Sequence, residues 1–144
     1  MRTLQKTLEI DAPPREVWRV LTNPELVREW AAAYEDGLSI RTSWREGEAV
    51  VWRSPDGSTR ASGAVAAFQP ERLLKFDYTH ALVADGCAFS ESFEITAANS
   101  NTVLSMTSGP LNEAAFNALM ERAEEALREI KSLAEESAQI RRGR

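Results

Sequence analysis

The sequence predicts an α+β fold in which a strongly curved antiparallel sheet of about seven strands wraps around one long C-terminal helix. Short runs of alternating apolar and polar residues fill the middle of the chain, and a long helical period begins only after Asn112. The early stretch APPREVWRVLTNPELVREW is interrupted twice by proline, which predicts two short helices after the first strand. With 144 residues, the chain is long enough for one domain of this kind.

The first predicted elements are a strand and a pair of helices. The strand LQKTLEI alternates, with Lys6 as the one charged member of its apolar face. Pro13 or Pro14 fits the first turn of a helix, where the missing N–H is not needed. The dipeptide Asn23-Pro24 ends that helix and begins another, so we expect the two helices to pack as a V.

The middle of the chain predicts a succession of strands. Turns at REGE, SPDGST, ADG and NSN separate them, and the Asp-Gly pair in SPDGST is a strong hairpin signal. The first of these strands is expected to run from Leu38 to Trp44. The later ones are expected near Val50, Ala61, Leu74, Cys87 and Leu104.

The last predicted element is a long helix with Asn112 at its N-cap. Its apolar residues recur at steps of three and four: Phe116, Leu119, Met120, Ala123, Leu127, Ile130 and Ala134. We expect the domain to cover residues 1–139, with residues 140–144, IRRGR, as a flexible basic tail.

Composition excludes several classes of function. The net charge is −5 and the predicted long helix is mainly acidic, which argues against a nucleic-acid surface. No apolar run approaches the roughly 18 residues of a membrane span, and a single cysteine fits a reducing compartment, so we expect a cytoplasmic protein without a membrane partner. Walker, GxSxG, GxGxxG and HExxH motifs are absent, and we expect no metal or redox cofactor.

An ordered set of segments carries a family resemblance. The segments EIDAPPREVWRVLTNPELVREW, WREGEAVVW, SGAVAAFQPERLLKFDY and ESFEIT…TVLSMTSG, with the closing helix, resemble the START-like helix-grip (SRPBCC) superfamily. Within it, they are most similar to the family resembling the C-terminal domain of the activator of the 90-kDa heat-shock protein ATPase. The resemblance covers about residues 4–136. It implies that the V-shaped helices close one end of a cavity lined by the sheet and the long helix.

The resemblance implies binding of a small hydrophobic or amphipathic molecule in that cavity. An enzyme of the cyclase/aromatase or hydratase type, acting on an aromatic or polyketide-like substrate, is one alternative, and a co-chaperone-like protein-interaction domain is another. The eukaryotic co-chaperone carries a separate N-terminal domain for which this chain has no room, so chaperone binding is not favoured. A homodimer is a further partnership that the sequence leaves open.

Glu91 is the most informative candidate residue. It is in step with Phe89 and Phe93 on an apolar face, where a carboxylate is costly unless it is paired or protonated. By strand parity, Lys6, Tyr78 and His80 are candidate partners. The alternative is that a bulge shifts the register and Glu91 faces water. The predicted ligand-binding residues are Glu91, His80, Tyr78, Trp52, Phe76, Phe89, Met106, Phe116 and Met120.

Each of the other candidates has a structural alternative. A helical stripe of aromatic and methionine residues, such as Phe116 and Met120, more often belongs to the hydrophobic core than to a ligand-binding site. Trp30 and Trp52 either wall the cavity or belong to the core, and the small residues of ASGAVAAF either leave volume for a ligand or allow close packing. Cys87 could form a nucleophile pair with His80, but a small hydrophobe packed in the core is the favoured interpretation.

Overall fold

The computed structural model describes residues 1–143 and confirms the predicted α+β helix-grip fold. The strands are β1 (Arg2–Ile10), β2 (Ser39–Thr42), β3 (Ala49–Arg53), β4 (Thr59–Gln69), β5 (Leu73–Ala81), β6 (Phe89–Ala98) and β7 (Asn101–Leu111). The helices are α1 (Pro14–Thr22), α2 (Pro24–Ala31) and α3 (Glu113–Arg142), and a short 3₁₀ turn covers Leu82–Ala84. None of the helices within residues 1–143 is long and apolar enough to cross a membrane.

The strands form one antiparallel sheet in the order β1-β7-β6-β5-β4-β3-β2. Consecutive strands from β2 to β7 are therefore neighbours, while β1 joins the sheet beside β7. Helix α3 packs against β1, α1 and α2. Its apolar stripe covers the inner face of the sheet. The largest fully buried side chains include Phe76, Phe93, Leu104 and Met106 of the sheet and Ile130 of α3.

Local caps explain why the early helical segment is split in two. Pro14 occupies the first turn of α1, where its missing N–H leaves no hydrogen bond unmade. The Asn23 side chain accepts hydrogen bonds from the backbone N–H groups of Glu25 and Leu26, at 3.0 and 3.3 Å, and so caps α2. The Asn112 side chain caps α3 in the same way, accepting from Ala115 N–H at 2.8 Å.

Two residues that were expected in strands lie outside them. Strand β2 ends at Thr42, and Trp44 follows it with a left-handed φ of 61°, which lies outside the β region. Its ring packs on Phe68 at a centroid distance of 6.0 Å. Cys87 precedes β6 and is exposed, so the expectation that it packs as a small buried hydrophobe is wrong.

The C-terminal segment that was expected to be a flexible tail begins inside a helix. Helix α3 continues through Ile140 to Arg142, and Arg144 lies outside the described residues. Nε of Arg141 lies 2.6 Å from Oε1 of Glu16, a side chain that is only 2% exposed. Residues 140–142 therefore belong to the packed helix, and the domain boundary at residue 139 stays a prediction.

The pairing of β4 with β5 contains a bulge near the C-terminal end of β5. Tyr78 pairs with Gly63 and His80 with Ser62, so Thr79 is an extra residue on β5. Gly63 has no room for a side chain, because a Cβ there would collide with the backbone carbonyl of Asp77. Close backbone packing thus explains the glycine of ASGAVAAF, whereas Ala61 in the same strand lines a pocket.

Candidate functional site

A pocket of about 550 Å³ lies between α2, the strands β3 to β6 and α3. Much of its wall is aromatic, with Trp30, Tyr34, Trp52, Tyr78 and Phe89 all contributing. The small side chains of Ala61, Ala81 and Ala118 leave the space between these rings open. Its volume falls within the roughly 300–1,000 Å³ that is usual for small-molecule sites.

Glu91 is the buried polar group of this pocket. It is 9% exposed and lies on β6, opposite Phe76 of β5 and Ser108 of β7. The Tyr78 hydroxyl donates to Oε1 of Glu91 at 3.2 Å, and the Ser108 hydroxyl is 3.4 Å from Oε2. The expectations that Glu91 is buried and that Tyr78 lies within its reach are confirmed.

The Tyr78 hydroxyl also accepts a hydrogen bond. Nε1 of Trp52 donates to it at 2.9 Å, which makes a chain of donors from Trp52 through Tyr78 to Glu91. The Trp30 ring stands edge-on to Trp52 at a centroid distance of 6.1 Å, and its own Nε1 is held by the carbonyl of Val20. These hydrogen bonds fix the indole orientations, so the aromatic wall is preorganised.

Burial dominates the electrostatics of the site. Burial raises the pKa of Glu91 from its ordinary value of 4.5 to about 7, although hydrogen bonds from Tyr78 and Ser108 act in the opposite direction. Burial, together with the charge of Glu91, also raises the pKa values of Tyr78 and Tyr34 well above 10. Near neutral pH, Glu91 can therefore be either a proton donor or an acceptor, while both phenols keep their protons.

The rim of the pocket combines paired charges with exposed apolar side chains. Nε of Arg60 lies 2.8 Å from Oε1 of Glu35, and the Ser54 hydroxyl donates to the same carboxylate at 2.7 Å. These hydrogen bonds, with that from Arg60 the larger, lower the pKa of Glu35. On the other side, Leu82 and Val83 of the 3₁₀ turn are 47% and 39% exposed.

A basic residue of α3 ties the rim to the rest of the fold. Nη1 of Arg122 donates to the backbone carbonyls of Ala33 and Tyr34, at 3.3 and 3.1 Å. This contact holds the segment after α2 against α3 and positions the Tyr34 ring on the pocket wall. Arg122 thus has a positioning role that its place in the sequence does not reveal.

The predicted ligand-binding residues fall into two groups. Glu91, Tyr78, Trp52 and Phe89 line the pocket together, as does Trp30. Phe76, Met106, Phe116 and Met120 are not part of the pocket wall. Phe76 and Met106 are core residues at 1% exposure, and the Phe116 ring lies under the guanidinium of Arg2, 3.7 Å from its ring centroid. Ligand contact by any of these residues stays a prediction.

Two expected partners of Glu91 lie elsewhere. The extra residue Thr79 shifts the alternation of β5, so His80 is exposed and is not part of the pocket wall with Tyr78. Lys6 forms an ion pair with Glu124 of α3 at 2.6 Å. Of the alternative partners expected for Glu91, the structure therefore supports Tyr78 and not Lys6 or His80, while ligand contact by His80 stays a prediction. Cys87 and His80 are both exposed outside this pocket.

Several pocket residues escaped the sequence prediction because no periodicity marks them. Tyr34 follows the end of α2, Arg60 is the second residue of β4, and Leu82 and Val83 belong to a turn. Their common feature is that they lie at the ends of elements that converge on the same opening. The one indication of these pocket residues in the sequence is an aromatic residue, Tyr34, just after the amphipathic helix α2.

Metal binding is not indicated in the part of the chain that the structure describes. Within residues 1–143, histidine, cysteine, aspartate and glutamate side chains form no group of three or more that could hold a metal ion.

The sequence matches a known protein family over most of its length. The profile of the family described as polyketide cyclase / dehydrase and lipid transport matches residues 1–135. A comparison with curated proteins gave no significant match.

Solved structures share the same fold. Protein MLL2253 from Mesorhizobium loti superposes with a TM-score of 0.77 at 20% identity, covering 92% of this chain and 96% of its own. CalU16 from Micromonospora echinospora gives 0.75 at 19% identity, covering 98% of this chain and 80% of its own. The Aha1 dimer from Colwellia psychrerythraea gives 0.73 at 15% identity, covering 94% and 97% respectively. At these identities, the likeness shows the fold alone.

Proposed function

This chain belongs to the polyketide cyclase / dehydrase and lipid transport family, of the START-like (SRPBCC) type, and from that premise we propose that it binds a small hydrophobic or amphipathic molecule in the pocket around Glu91. The observation that carries the proposal is one buried carboxyl group within a largely aromatic wall. A few polar groups among apolar walls are the usual way in which a small-molecule site orients its ligand.

The polar chain favours an amphipathic guest over a purely apolar one. Within residues 1–143, Oε2 of Glu91 has a single long hydrogen bond, from Ser108 at 3.4 Å, so this carboxyl oxygen has capacity for another partner. A guest without a polar group would cover Glu91 and add to its desolvation, which is unfavourable. A guest with one polar end can bond to Glu91 and bury its apolar part against Trp30 and Trp52.

The second candidate is an enzyme that transfers a proton through Glu91. It is favoured by the pKa of about 7, since a general acid–base group works best near the ambient pH. The family description includes cyclases and dehydrases, whose reactions need such a group. Under this alternative, a captured ligand would be converted by the wild-type protein and returned unchanged by Glu91→Gln.

Other partnerships have less support. The likeness to an Aha1 dimer at 15% identity concerns the fold, so neither chaperone binding nor a dimer follows from it. A homodimer and a cytoplasmic location stay predictions of the sequence.

The proposed binding can be tested with N-phenyl-1-naphthylamine, an uncharged probe whose fluorescence rises in apolar sites. We expect saturable binding to the wild-type protein. Ala118→Trp, on the pocket face of α3, should reduce it at least about tenfold by filling the space. Ala114→Trp makes the same change at an exposed position of the same helix that does not line the pocket, and should bind like wild type.

A second variant, Ala61→Phe, fills the pocket from the sheet side. Circular dichroism should confirm that each variant is folded. Equal binding by the wild type and by both filled variants would contradict the proposal, because the probe would then be bound outside this pocket. Native mass spectrometry of the purified protein would then identify any ligand that is retained from the cell.

A further inference from the structure

We infer that the guest of this pocket carries a positively charged nitrogen, a substituted ammonium group, which binds among the aromatic rings against Glu91. The inference rests on the proposed function and specifies the chemical class of its ligand. It is carried by the aromatic composition of the wall, by the lack of a basic partner for Glu91 and by the engagement of the arginines at the rim.

The aromatic rings come from separate elements and line the same pocket as the carboxyl group of Glu91. Trp30 of α2 meets Trp52 of β3 at 6.1 Å, and Tyr78 of β5 meets Phe89 of β6 at 5.1 Å between ring centroids. Tyr34 completes this wall from the segment after α2. The faces of such rings attract cations, and sets of several rings are the usual recognition site for alkylated ammonium groups.

Glu91 lacks a basic partner within residues 1–143. Its hydrogen bonds come from the hydroxyls of Tyr78 and Ser108, which provide no positive charge. The other buried carboxylate, Glu16, differs because Arg141 forms an ion pair with it at 2.6 Å. A buried carboxylate is strongly stabilised by a hydrogen-bonded cation in its low-dielectric surroundings, and an ammonium ligand would supply that cation.

The arginines that line the rim are already engaged. Arg60 pairs with Glu35, so a carboxylate balances its charge, and Nη1 of Arg122 already donates to two backbone carbonyls. An acidic head group would also bring a second negative charge toward Glu91, which is unfavourable. The net charge of −5 for the whole chain favours the approach of a cation. These charges therefore argue for an ammonium and against a carboxylate or phosphate head group.

The test compares three probes with the same apolar skeleton: 4-phenylbutylammonium, 4-phenylbutanol and 4-phenylbutyrate. Isothermal titration at pH 8 measures their Kd values, since Glu91 is then largely ionised and the amine is charged. We expect the ammonium to bind at least about tenfold more tightly than the alcohol, and the carboxylate to bind most weakly. Glu91→Gln should abolish the advantage of the ammonium over the alcohol.

Glu121→Gln is the matched control, because it makes the same charge change at an exposed position of α3 that does not line the pocket. It should keep the preference for the ammonium. If N-phenyl-1-naphthylamine binds in the pocket but the ammonium has no advantage over the alcohol, or keeps it in Glu91→Gln, the inference is overturned and the proposed function stands. If neither the naphthylamine nor any phenylbutyl probe binds, both are overturned.

Discussion

The Tyr78 hydroxyl lies 3.2 Å from Oε1 of Glu91 and donates a hydrogen bond to this buried carboxyl group. The same hydroxyl accepts from Nε1 of Trp52 at 2.9 Å, so one phenol links the indole of β3 to the carboxyl of β6. Because the phenol has a single proton, its orientation is determined by these two partners. Any change at Tyr78 therefore affects both the position of Trp52 and the ionisation of Glu91.

The first prediction concerns stability as a function of pH. The pKa of Glu91 is about 7 in the folded state and 4.5 at its ordinary value, so between these values the folded protein holds a proton that the unfolded chain has released. The contribution of Glu91 to the free energy of unfolding is therefore fully present below pH 4.5. It decreases by about 3 kcal/mol in total as the pH rises to about 7. Urea unfolding from pH 4.5 to 8 measures this slope.

Glu91→Gln should flatten that pH dependence, since the amide does not titrate. Glu121→Gln, which changes an exposed carboxylate, should keep the wild-type slope. Equal slopes in wild type and Glu91→Gln would show that Glu91 titrates alike in the folded and unfolded states.

The second prediction concerns the hydroxyl of Tyr78. Tyr78→Phe leaves the buried Nε1–H of Trp52 without its acceptor and removes a donor from Glu91. We expect a loss of about 1–3 kcal/mol in the free energy of unfolding, the usual cost of leaving a buried polar group unpaired. The pKa of Glu91 should rise further, because the hydrogen bond from Tyr78 lowers it.

Tyr34→Phe is the control for that variant. It removes a phenol oxygen from the same pocket, and no hydrogen bond of the Tyr34 hydroxyl is found within residues 1–143. We expect its effect on stability to stay within about 0.5 kcal/mol. Equal losses in the two variants, measured by urea unfolding, would mean that the hydrogen-bond chain contributes nothing specific.

Features of the fold that depend on local spacing could be predicted from the sequence. The two short helices and the phase of Glu91 with Phe89 and Phe93 follow from spacing and capping, which a sequence displays directly. The position of His80 does not, because the bulge at Thr79 arises from pairing with a distant strand. Periodicity assumes an uninterrupted register, so it fails where tertiary pairing inserts a residue.

The same distinction applies at the end of α3 and at Trp44. The short terminal segment IRRGR predicts a frayed tail, yet Arg141 forms an ion pair with Glu16, which is far away in the sequence, and the domain boundary at residue 139 stays a prediction. Trp44 was placed in a strand by alternation, while its left-handed φ reflects the turn between β2 and β3. Long-range ion pairs and turn geometry leave little trace in local spacing.

The third prediction tests whether the end of α3 is part of the fold. Arg141→Met removes the cation that faces the buried Glu16, whose other oxygen, Oε2, has no hydrogen-bond partner within the described chain. Because Arg141 itself is 54% exposed, we expect a moderate loss of about 1–2 kcal/mol in the free energy of unfolding. Urea unfolding at pH 7 measures it.

Arg41→Met provides the control, since Arg41 is an exposed residue of the edge strand β2. Its stability should change by less than about 0.5 kcal/mol. The double variant Glu16→Gln/Arg141→Met should recover part of the loss, because it leaves no buried charge. Wild-type stability in Arg141→Met would instead support a flexible tail from residue 140.

The last prediction concerns Gly63, which supports the geometry of Tyr78 from the neighbouring strand. A Cβ at position 63 would meet the Asp77 carbonyl and lie 2.7 Å from the Tyr78 Cα, both of which are backbone atoms that cannot move aside without disturbing the bulge. We expect Gly63→Ala to cost about 3 kcal/mol. Ala66→Ser, at an exposed position of the same strand, should be nearly neutral. The displacement of β5 would also shift Tyr78 away from Glu91. The Gly63→Ala variant should therefore lose binding of N-phenyl-1-naphthylamine under conditions where the variant is still folded. Wild-type stability together with wild-type binding would show that the close approach of β4 to β5 is not needed for the site.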